Sequence, residues 1–307
     1  MNKKWATFLV IAILLVFIGY IISDLSLKKE KVSGLTTIAD SSEYTDAWMV
    51  SKVFEPGLGK LAAVAASDNG NIILGGESFV SENSPSLEVN WILKTDKPVT
   101  AVTSSGDTVF ASTLQTVLVI NGKGELISEW GPFEDSAIIT SIASNKPFLA
   151  FADAQNKIIF VLDKKGIVRK IIGLAGEPFS VPSNFFDVAF SGNNYLYDAN
   201  PGNRRIETRT TDGTIIRFFG EPGMSPVAFC GCCNPAHFTV LPGGFVTAEK
   251  GINRIKILNE KGAFVEFVSS RNSFAPSIPL DVASYNGKVI YAANPADSKL
   301  YVFKRKS

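Results

Sequence analysis

A repeat of roughly 40 to 50 residues is the feature of this sequence that most constrains the fold. Five segments can be laid over one another, and they begin at Thr100, Thr140, Phe186, His237 and Leu280. The first four each contain four short β-rich runs, separated by a Gly/Asn turn, a polar turn and a Lys-Gly or Asp-Gly hairpin, and the last follows the same pattern for three runs. An earlier unit, from Leu61, fits more loosely and brings the number of units to six. Four antiparallel strands per unit at this period predict a β-propeller.

The two ends of the repeat region predict how the ring closes. The last unit stops after its third strand, in the segment KLYVFKRKS. Residues 46–57, DAWMVSKVFEPG, form a spare strand ahead of the first full unit. That strand can complete the last blade, which removes the unpaired edge that a linear array of blades leaves. We therefore predict an all-β fold, a six-bladed β-propeller over residues 46–307.

A membrane anchor is predicted near the N-terminus. Residues 5–22, WATFLVIAILLVFIGYII, carry no charge and just reach the ~20 apolar residues that a spanning helix needs. A cleaved signal peptide is the alternative, but its apolar core is typically ~7–15 residues long and is followed by an A-x-A site, a pattern that this segment lacks. We expect one uncleaved transmembrane helix. Residues 1–23 then form a cytoplasmic tail and the anchor, and residues 24–45 form a polar tether.

The charge of the chain decides little about orientation but excludes one class of partner. Lys3 and Lys4 precede the apolar segment and three lysines follow it closely, so the local charge bias is small. A short tail ahead of a large domain favours a single-pass protein of the cell inner membrane, with the propeller on the periplasmic, extracytoplasmic side. Lys and Arg total 30, and Asp and Glu total 29. So balanced a chain is not expected to bind nucleic acid.

One unit carries the residues of a known repeat. The segment FDVAFSGNNYLYDANPGNRRIETRTTDGTIIRFFG resembles an NHL repeat, and it matches that pattern at Asp187, Val188, Ala189, Tyr197, Asn203, Arg205, Ile206, Asp212, Gly213, Phe219 and Gly220. The resemblance implies a six-bladed, NHL/TolB-like fold but says little about chemistry, because propellers host many functions. The segment CGCCNP is similar to one in membrane-anchored bacterial NHL-like proteins, and that likeness implies no particular activity.

All three cysteines and the only histidine of the chain lie within residues 229–238, FCGCCNPAHF. A Cys3His set, numerically enough for a closed zinc site, consists of Cys230, Cys232, Cys233 and His237. Thiolates could also hold copper or iron. The C-G-C-C spacing is tighter than that of most zinc-binding cysteine pairs, but Gly231 and Asn234 could help to bend the loop. The clustering therefore suggests a transition metal (zinc, copper or iron) as a cofactor.

Two other interpretations of the cysteine segment stay open. A disulfide, for example between Cys230 and Cys233, is favoured outside the cytoplasm. Alternatively, the cysteines are small buried residues that pack the loop.

The repeat places the segment between the last strand of one blade and the innermost strand of the next, which begins at His237. This connection shares a face with the turns between second and third strands, DAQN, DANPGN, EKGIN and ANPADS.

Catalytic chemistry has little support in the sequence. A single histidine cannot supply a multi-histidine metal site, and the chain has no G-x-S-x-G nucleophile elbow. Asp187 and Asp281 open the innermost strands of two blades. They could face the channel as a carboxylate pair or bind Ca²⁺, but we expect them to accept hydrogen bonds from backbone amides. Arg204 and Arg205 could bind an anion, although a solvated turn is the simpler interpretation.

These observations together favour a binding function over an enzymatic one, without deciding between them. We expect a membrane-tethered, extracytoplasmic β-propeller that acts as a binding or interaction module, with a protein partner on the face that carries the loops. The alternative is a metal-binding or electron-transfer accessory protein that uses the cysteine-rich loop 230–237.

Overall fold

The computed structural model describes Trp5 and residues 14–18, 45–174, 179–192, 194–231, 233–270, 273–275 and 278–306. The chain divides into two units, Met1–Glu43 and Tyr44–Ser307. In the first unit, Trp5 and residues 14–18 are helical. Within the part of the chain that is described, no helix is long and apolar enough to cross a membrane. Most of the predicted anchor, and all but the last residue of the predicted tether, lie outside the described residues.

The second unit begins with strand β1 (Trp48–Phe54), and its first three blades follow. Blade one contains β2 (Leu61–Ala66), β3 (Ile72–Gly76), β4 (Phe79–Asn83) and β5 (Val89–Lys94). Blade two contains β6 (Ala101–Ser105), β7 (Thr108–Ser112), β8 (Val117–Ile120) and β9 (Leu126–Trp130). Blade three contains β10 (Ile139–Ser144), β11 (Phe148–Asp153), β12 (Ile158–Asp163) and β13 (Val168–Ile172).

The remaining three blades repeat the same order of strands. Blade four contains β14 (Val188–Phe190), β15 (Leu196–Asn200), a short 3₁₀ helix (Pro201–Asn203), β16 (Arg205–Arg209) and β17 (Ile215–Phe219). Blade five contains β18 (His237–Leu241), β19 (Gly244–Ala248), β20 (Ile255–Asn259) and β21 (Phe264–Ser269). Blade six contains β22 (Asp281–Ala283), β23 (Val289–Asn294) and β24 (Lys299–Arg305).

The ring is closed by pairing the first strand with the last. β1 runs antiparallel to β24, with Trp48 opposite Arg305 and Phe54 opposite Leu300, and it completes a sheet of order β1-β24-β23-β22. The innermost strands of consecutive blades contact one another, and β2 also contacts β22. The prediction that a strand within residues 46–57 closes a six-bladed ring is therefore confirmed over the described residues.

The core lies between neighbouring blades rather than inside any one sheet. In blade three, β12 (IIFVLD) is buried along nearly its whole length because both faces of the sheet are covered, which explains its continuous apolar sequence. The outermost strand β13 exposes its first three residues, Val168 to Lys170. Phe151 of β11 stacks on Phe160 of β12 with ring centroids 4.8 Å apart. Blade packing therefore rests on the second and third strands.

Glycines in the last hairpin of a blade lock that blade onto the blade before it. Gly166, in the hairpin between β12 and β13, has φ +81°, a left-handed conformation that glycine adopts at little cost. A Cβ built on Gly166 would lie 2.6 Å from Cδ2 of Trp130, on the outermost strand of blade two. The Lys-Gly pair of the sequence thus serves two purposes, since it makes the turn and admits the neighbouring aromatic ring.

Candidate functional site

A recurring hydrogen bond joins neighbouring blades near the start of their innermost strands. A side chain at one inner position accepts the backbone N–H that follows the equivalent position of the next blade. The bonds are Val188 N to Ser141 Oγ (3.1 Å), Phe238 N to Asp187 Oδ2 (2.7 Å) and Val64 N to Asp281 Oδ2 (2.8 Å). The prediction that Asp187 and Asp281 accept backbone amides is confirmed, and these bonds fix both carboxylates beside the channel.

His237 occupies the equivalent position of blade five. β18 begins at this residue, as the repeat predicts, and the imidazole ring lies between carboxylates of the two neighbouring blades. Its Nδ1 is 3.7 Å from Asp187 Oδ2 and 3.7 Å from Asp281 Oδ1, which is beyond hydrogen-bond distance but close enough for strong electrostatic attraction. Three consecutive blades thus each bring one ionisable side chain to the same level of the channel.

Burial and charge act against each other in this cluster. Burial lowers the pKa of His237, but Asp187 and Asp281 more than offset it, so the net pKa lies above the ordinary value of 6.5. Burial raises the pKa of Asp281 to about 6, while the charge of His237 opposes that rise. The two groups titrate as a coupled pair, and their combined charge changes at pH values near and above 6.

The cluster opens into a cavity along the axis of the propeller. The cavity has a volume of about 300 Å³ and is lined by residues from the innermost strands of all six blades. Its charged lining residues are Asp68, Asp187, His237 and Asp281, and no lysine or arginine is found among the described residues that line it. Much of the remaining lining consists of alanine, valine, serine and threonine. The channel is therefore polar, acidic and large enough for a small molecule.

The cysteine segment lies in the connection between β17 and β18, as the repeat predicts. Cys230 and Cys233 are both buried. The backbone N–H of Cys230 donates to Glu249 Oε2 at 3.2 Å, and Asn234 Nδ2 donates to the carbonyls of Cys230 (2.8 Å) and Lys250 (2.9 Å). Asn234 Oδ1 in turn accepts the Lys250 N–H at 2.7 Å. These bonds hold the segment against the turn between β19 and β20 of its own blade.

Buried charges behind the cysteine segment are the part of this region that the sequence did not reveal. Arg254 contacts Glu249 through Nε at 2.5 Å, and Lys256 Nζ lies 3.0 Å from the same Oε1. The two basic side chains also donate to carbonyls just ahead of the segment, which belong to Met224, Ser225 and Ala228. Burial is the largest influence on Lys256 and lowers its pKa to about 8. The available signal was four charged residues in the short, otherwise largely apolar stretch AEKGINRIKI.

The metal hypothesis depends on a residue outside the described part of the chain, Cys232. Cys230 carries a free thiol that contacts Asn234 and Lys250, whereas the partners of His237 come from blades four and six. Among the described residues, no three His, Cys, Asp or Glu side chains are placed to hold a metal ion. The Cys3His site for zinc, copper or iron stays a prediction, and a Cys230–Cys233 disulfide is not formed in the structure.

Arg204 and Arg205 both have partners within the protein. Arg204 Nε donates to the Gly231 carbonyl at 2.7 Å, which ties the turn of blade four to the cysteine segment. Arg205 Nε donates to Glu207 Oε1 at 2.5 Å and its guanidinium lies 4.4 Å from the centre of the Phe218 ring. These contacts give both arginines a structural role and do not favour an anion site at this turn.

Comparison with known proteins shows the fold. No protein-family model matches the chain, and no curated protein matches it in sequence. Among solved structures, a streptogramin B lyase aligns with a TM-score of 0.60 and 12% identity over 85% of this chain and 100% of its own. Virginiamycin B lyase from Staphylococcus aureus aligns with a TM-score of 0.59 and 15% identity, over 84% and 100%.

A WD40 propeller aligns about as well. The WD40 β-propeller domain of Doa1 has a TM-score of 0.57 and 13% identity over 80% of this chain and 79% of its own. The fold is a six-bladed β-propeller. Identities this low support the architecture alone, because propellers of similar shape carry unrelated activities, and the NHL resemblance stays a prediction from the residues.

Proposed function

We propose that the protein is a binding module whose propeller holds a small polar ligand in its central channel. The observation that supports this most strongly is the cavity of about 300 Å³, into which Asp187, His237 and Asp281 bring ionisable groups from three consecutive blades. Ligand cavities in proteins typically start at about this size, and a few convergent polar groups fix the orientation of the ligand.

The hydrogen bonds between blades support the view that the site is preorganised for a ligand. Asp187 and Asp281 are each held by a backbone N–H of the next blade, at 2.7 and 2.8 Å. A ligand therefore does not have to bear the entropic cost of ordering them, which is what preorganisation contributes to affinity.

The remaining parts of the proposal concern where the module acts. Residues 5–22 supply an uncharged segment of membrane-spanning length and residues 24–45 a polar tether. We place the propeller on the periplasmic, extracytoplasmic side of the cell inner membrane, as a single-pass, NHL-like protein. The turns between second and third strands and the cysteine segment share one face, and that face is our proposed contact for a protein partner.

Equilibrium dialysis tests the ligand site. The full chain in detergent is dialysed against a defined mixture of amino acids, amines, sugars and carboxylic acids, and retained compounds are identified by mass spectrometry. Thr239→Trp fills the channel, because Thr239 is a part-exposed lining residue of β18. Thr214→Trp is the matched control on an exposed hairpin. Compounds held by the wild type and the control but lost by Thr239→Trp support the proposal. Retention of nothing by the wild type contradicts it.

A further inference from the structure

The charge of the channel indicates what kind of ligand it takes. Three carboxylic acids and one imidazole line the cavity, with no described lysine or arginine among its lining residues. With both channel aspartates and Asp68 ionised, the lining carries two to three negative charges, depending on whether His237 is protonated. Low-dielectric walls concentrate such a potential inside a cleft. Cations are therefore attracted into the channel and anions are repelled from it.

One carboxylate of the channel has room for a further donor. Asp187 already accepts hydrogen bonds from Ser141 Oγ, Val188 N and Phe238 N, and its side chain is only 7% exposed. The Asp281 side chain is 20% exposed. Its Oδ2 accepts the Val64 N–H, and the Val282 backbone N–H also contacts the carboxylate. Oδ1 lies 3.7 Å from His237, too far for a hydrogen bond. An incoming N–H donor can therefore be met by Asp281 without breaking a link between blades.

The size and surface of the cavity favour an organic cation over a single metal ion. Its volume of about 300 Å³ is on the order of ten times the ~30 Å³ that one water molecule occupies in the liquid. Alanines of several blades line it, together with the aromatic residues Phe190, which ends β14, and Tyr285, which lies two residues beyond the end of β22. Aromatic faces also attract organic ammonium groups. The described residues place no three ligating side chains together for a metal ion.

We infer that the channel binds a small organic cation, an ammonium or guanidinium compound whose charged group donates to Asp281 while its carbon skeleton lies along the alanine-rich wall. The inference rests on the proposed function, since it names the class of ligand for the same channel. His237 stands beside the charged group of the ligand, so its ring reports on whether the channel is occupied.

Because the chain has one histidine, labelling the histidine ring with ¹³C at Cε1 gives a single NMR signal from the channel. The full chain in detergent is titrated at pH 8 with benzylammonium, benzyl alcohol and benzoate, which share one skeleton and differ in charge, and separately with Ca²⁺. We expect benzylammonium to shift the His237 signal saturably, at concentrations at least tenfold below those that benzyl alcohol needs, and benzoate to leave it unchanged.

Asp281→Asn removes the charge but keeps an oxygen for the Val64 N–H. We expect it to weaken benzylammonium binding at least tenfold, whereas Asp107→Asn, an exposed aspartate outside the channel lining, leaves binding unchanged. Equal binding by Asp281→Asn overturns the inference. Equal or tighter binding of benzyl alcohol or benzoate overturns the cation class while channel binding stands. A stronger response of the His237 signal to Ca²⁺ than to benzylammonium overturns the inference of an organic cation and shows that the channel prefers an inorganic one. No response to any of the four overturns the cation class, and the dialysis result then decides whether the channel is a ligand site.

Discussion

Lys256 Nζ lies 3.0 Å from Glu249 Oε1, and neither side chain is exposed to solvent. Arg254 contacts the same carboxylate, so two buried cations share one buried anion. Burial of an unpaired charge is far more costly than burial of a pair. This cluster also holds the cysteine segment, since Glu249 accepts the Cys230 N–H and both basic side chains donate to the Ala228 carbonyl just ahead of the segment.

Glu249→Gln is expected to destabilise the propeller by about 3–5 kcal/mol, because two buried cations lose their counter-charge. Lys256→Met is expected to cost less, since Arg254 still neutralises the carboxylate. Urea unfolding of each variant gives the change in the free energy of unfolding. Lys97→Met, in the exposed Lys97–Glu129 pair, serves as the control, with an expected effect of about 0–1 kcal/mol. A cost for Glu249→Gln no larger than the control's would show that the cluster is not stabilising.

The stability of the propeller should fall with rising pH through the titration of the channel. In the folded protein the pKa of Asp281 is raised to about 6 from 3.8, so its stabilising contribution is complete below about pH 4 and is lost between pH 4 and 6. The raised pKa of His237 acts in the same direction, since its contribution is present below the ordinary 6.5 and is lost as pH rises through the raised value.

Asp281→Asn removes the first of these titrations. Relative to this variant, the wild type should lose on the order of 2–3 kcal/mol of stability between pH 4 and pH 7, as measured by urea unfolding at several pH values. Asp163→Asn serves as a control in which stability depends on pH in the opposite direction. The pKa of Asp163 is lowered, so its contribution to stability is lost as pH falls. A stability difference between the wild type and Asp281→Asn that does not change with pH would refute the prediction.

Two glycines with similar φ separate backbone strain from packing between blades. Gly166 has φ +81° and lies against Trp130, whereas Gly243 has φ +87° and open space where a Cβ would lie, with no atom within 4 Å. Gly243→Ala should cost about 1–2 kcal/mol from the left-handed backbone alone. Gly166→Ala should cost about 1–3 kcal/mol more, because the methyl group displaces the indole ring. Equal losses in thermal unfolding would mean that the contact with Trp130 contributes nothing.

Alkylation distinguishes the interpretations of the cysteine segment. Burial, followed by the charge of Glu249, raises the pKa of the Cys230 thiol, and only a thiolate reacts readily. In the double variant Cys232→Ser/Cys233→Ser, we expect iodoacetamide to modify Cys230 at least 100-fold more slowly in the folded than in the urea-unfolded protein, with or without a chelator. Rapid modification of the folded variant would contradict the buried position of Cys230.

Alkylation of the wild-type protein then tests whether the cysteine segment binds a metal ion. Acceleration of its alkylation by a chelator would support the Cys3His site and the metal-binding or electron-transfer alternative. Exposure of two thiols only after a reductant is added would support a disulfide. Slow alkylation that neither reagent changes would leave packing as the role of all three cysteines.

Proteolysis within the tether should release an intact propeller. Cleavage between residues 24 and 45 leaves β1 attached, and the fragment should show a β-rich circular dichroism spectrum and the same urea midpoint as the full chain. A chain that begins at residue 58 lacks β1 and its buried Trp48, so the edge of β24 is unpaired and aggregation is expected. A helix-rich spectrum from the released fragment would contradict the fold, and equal stability of the shorter chain would contradict closure by β1.

The fold could be predicted from the sequence because each blade repeats the same local signals. Hairpin glycines, short apolar runs and a leftover strand at the start of the propeller specify strand order and ring closure without knowledge of any distant contact. What the sequence could not show is which charges are buried together. Glu207 and Arg209 alternate along a short strand as exposed residues do, yet both are buried with Asp198. The register of β15 and β16 places Asp198 opposite Glu207, and Arg209 lies two residues further along the same strand.

The candidate site illustrates the same limit. Asp187, Asp281 and His237 could each be placed at the start of an innermost strand from the repeat alone. The distances between their side chains could not, because these follow from how the innermost strands of consecutive blades pack around the axis. The sequence groups His237 with the neighbouring cysteines, whereas its described partners come from blades about 45–50 residues away along the chain. In a propeller, the residues that face one another across the axis are separated by whole blades.

Ring closure by β1 also sets the order of events in biosynthesis. The bond from Ser51 Oγ to the Val302 carbonyl joins residues 251 positions apart. At about 5–20 residues per second, the ribosome needs roughly 13–50 s to reach the partner of β1 after making β1 itself. Strand pairing within a blade takes microseconds, so each blade can form soon after it is synthesised. β1 stays unpaired until β24 has been made. The final step of folding is therefore timed by translation, and until it occurs the nascent chain presents two open sheet edges to the cell's chaperones.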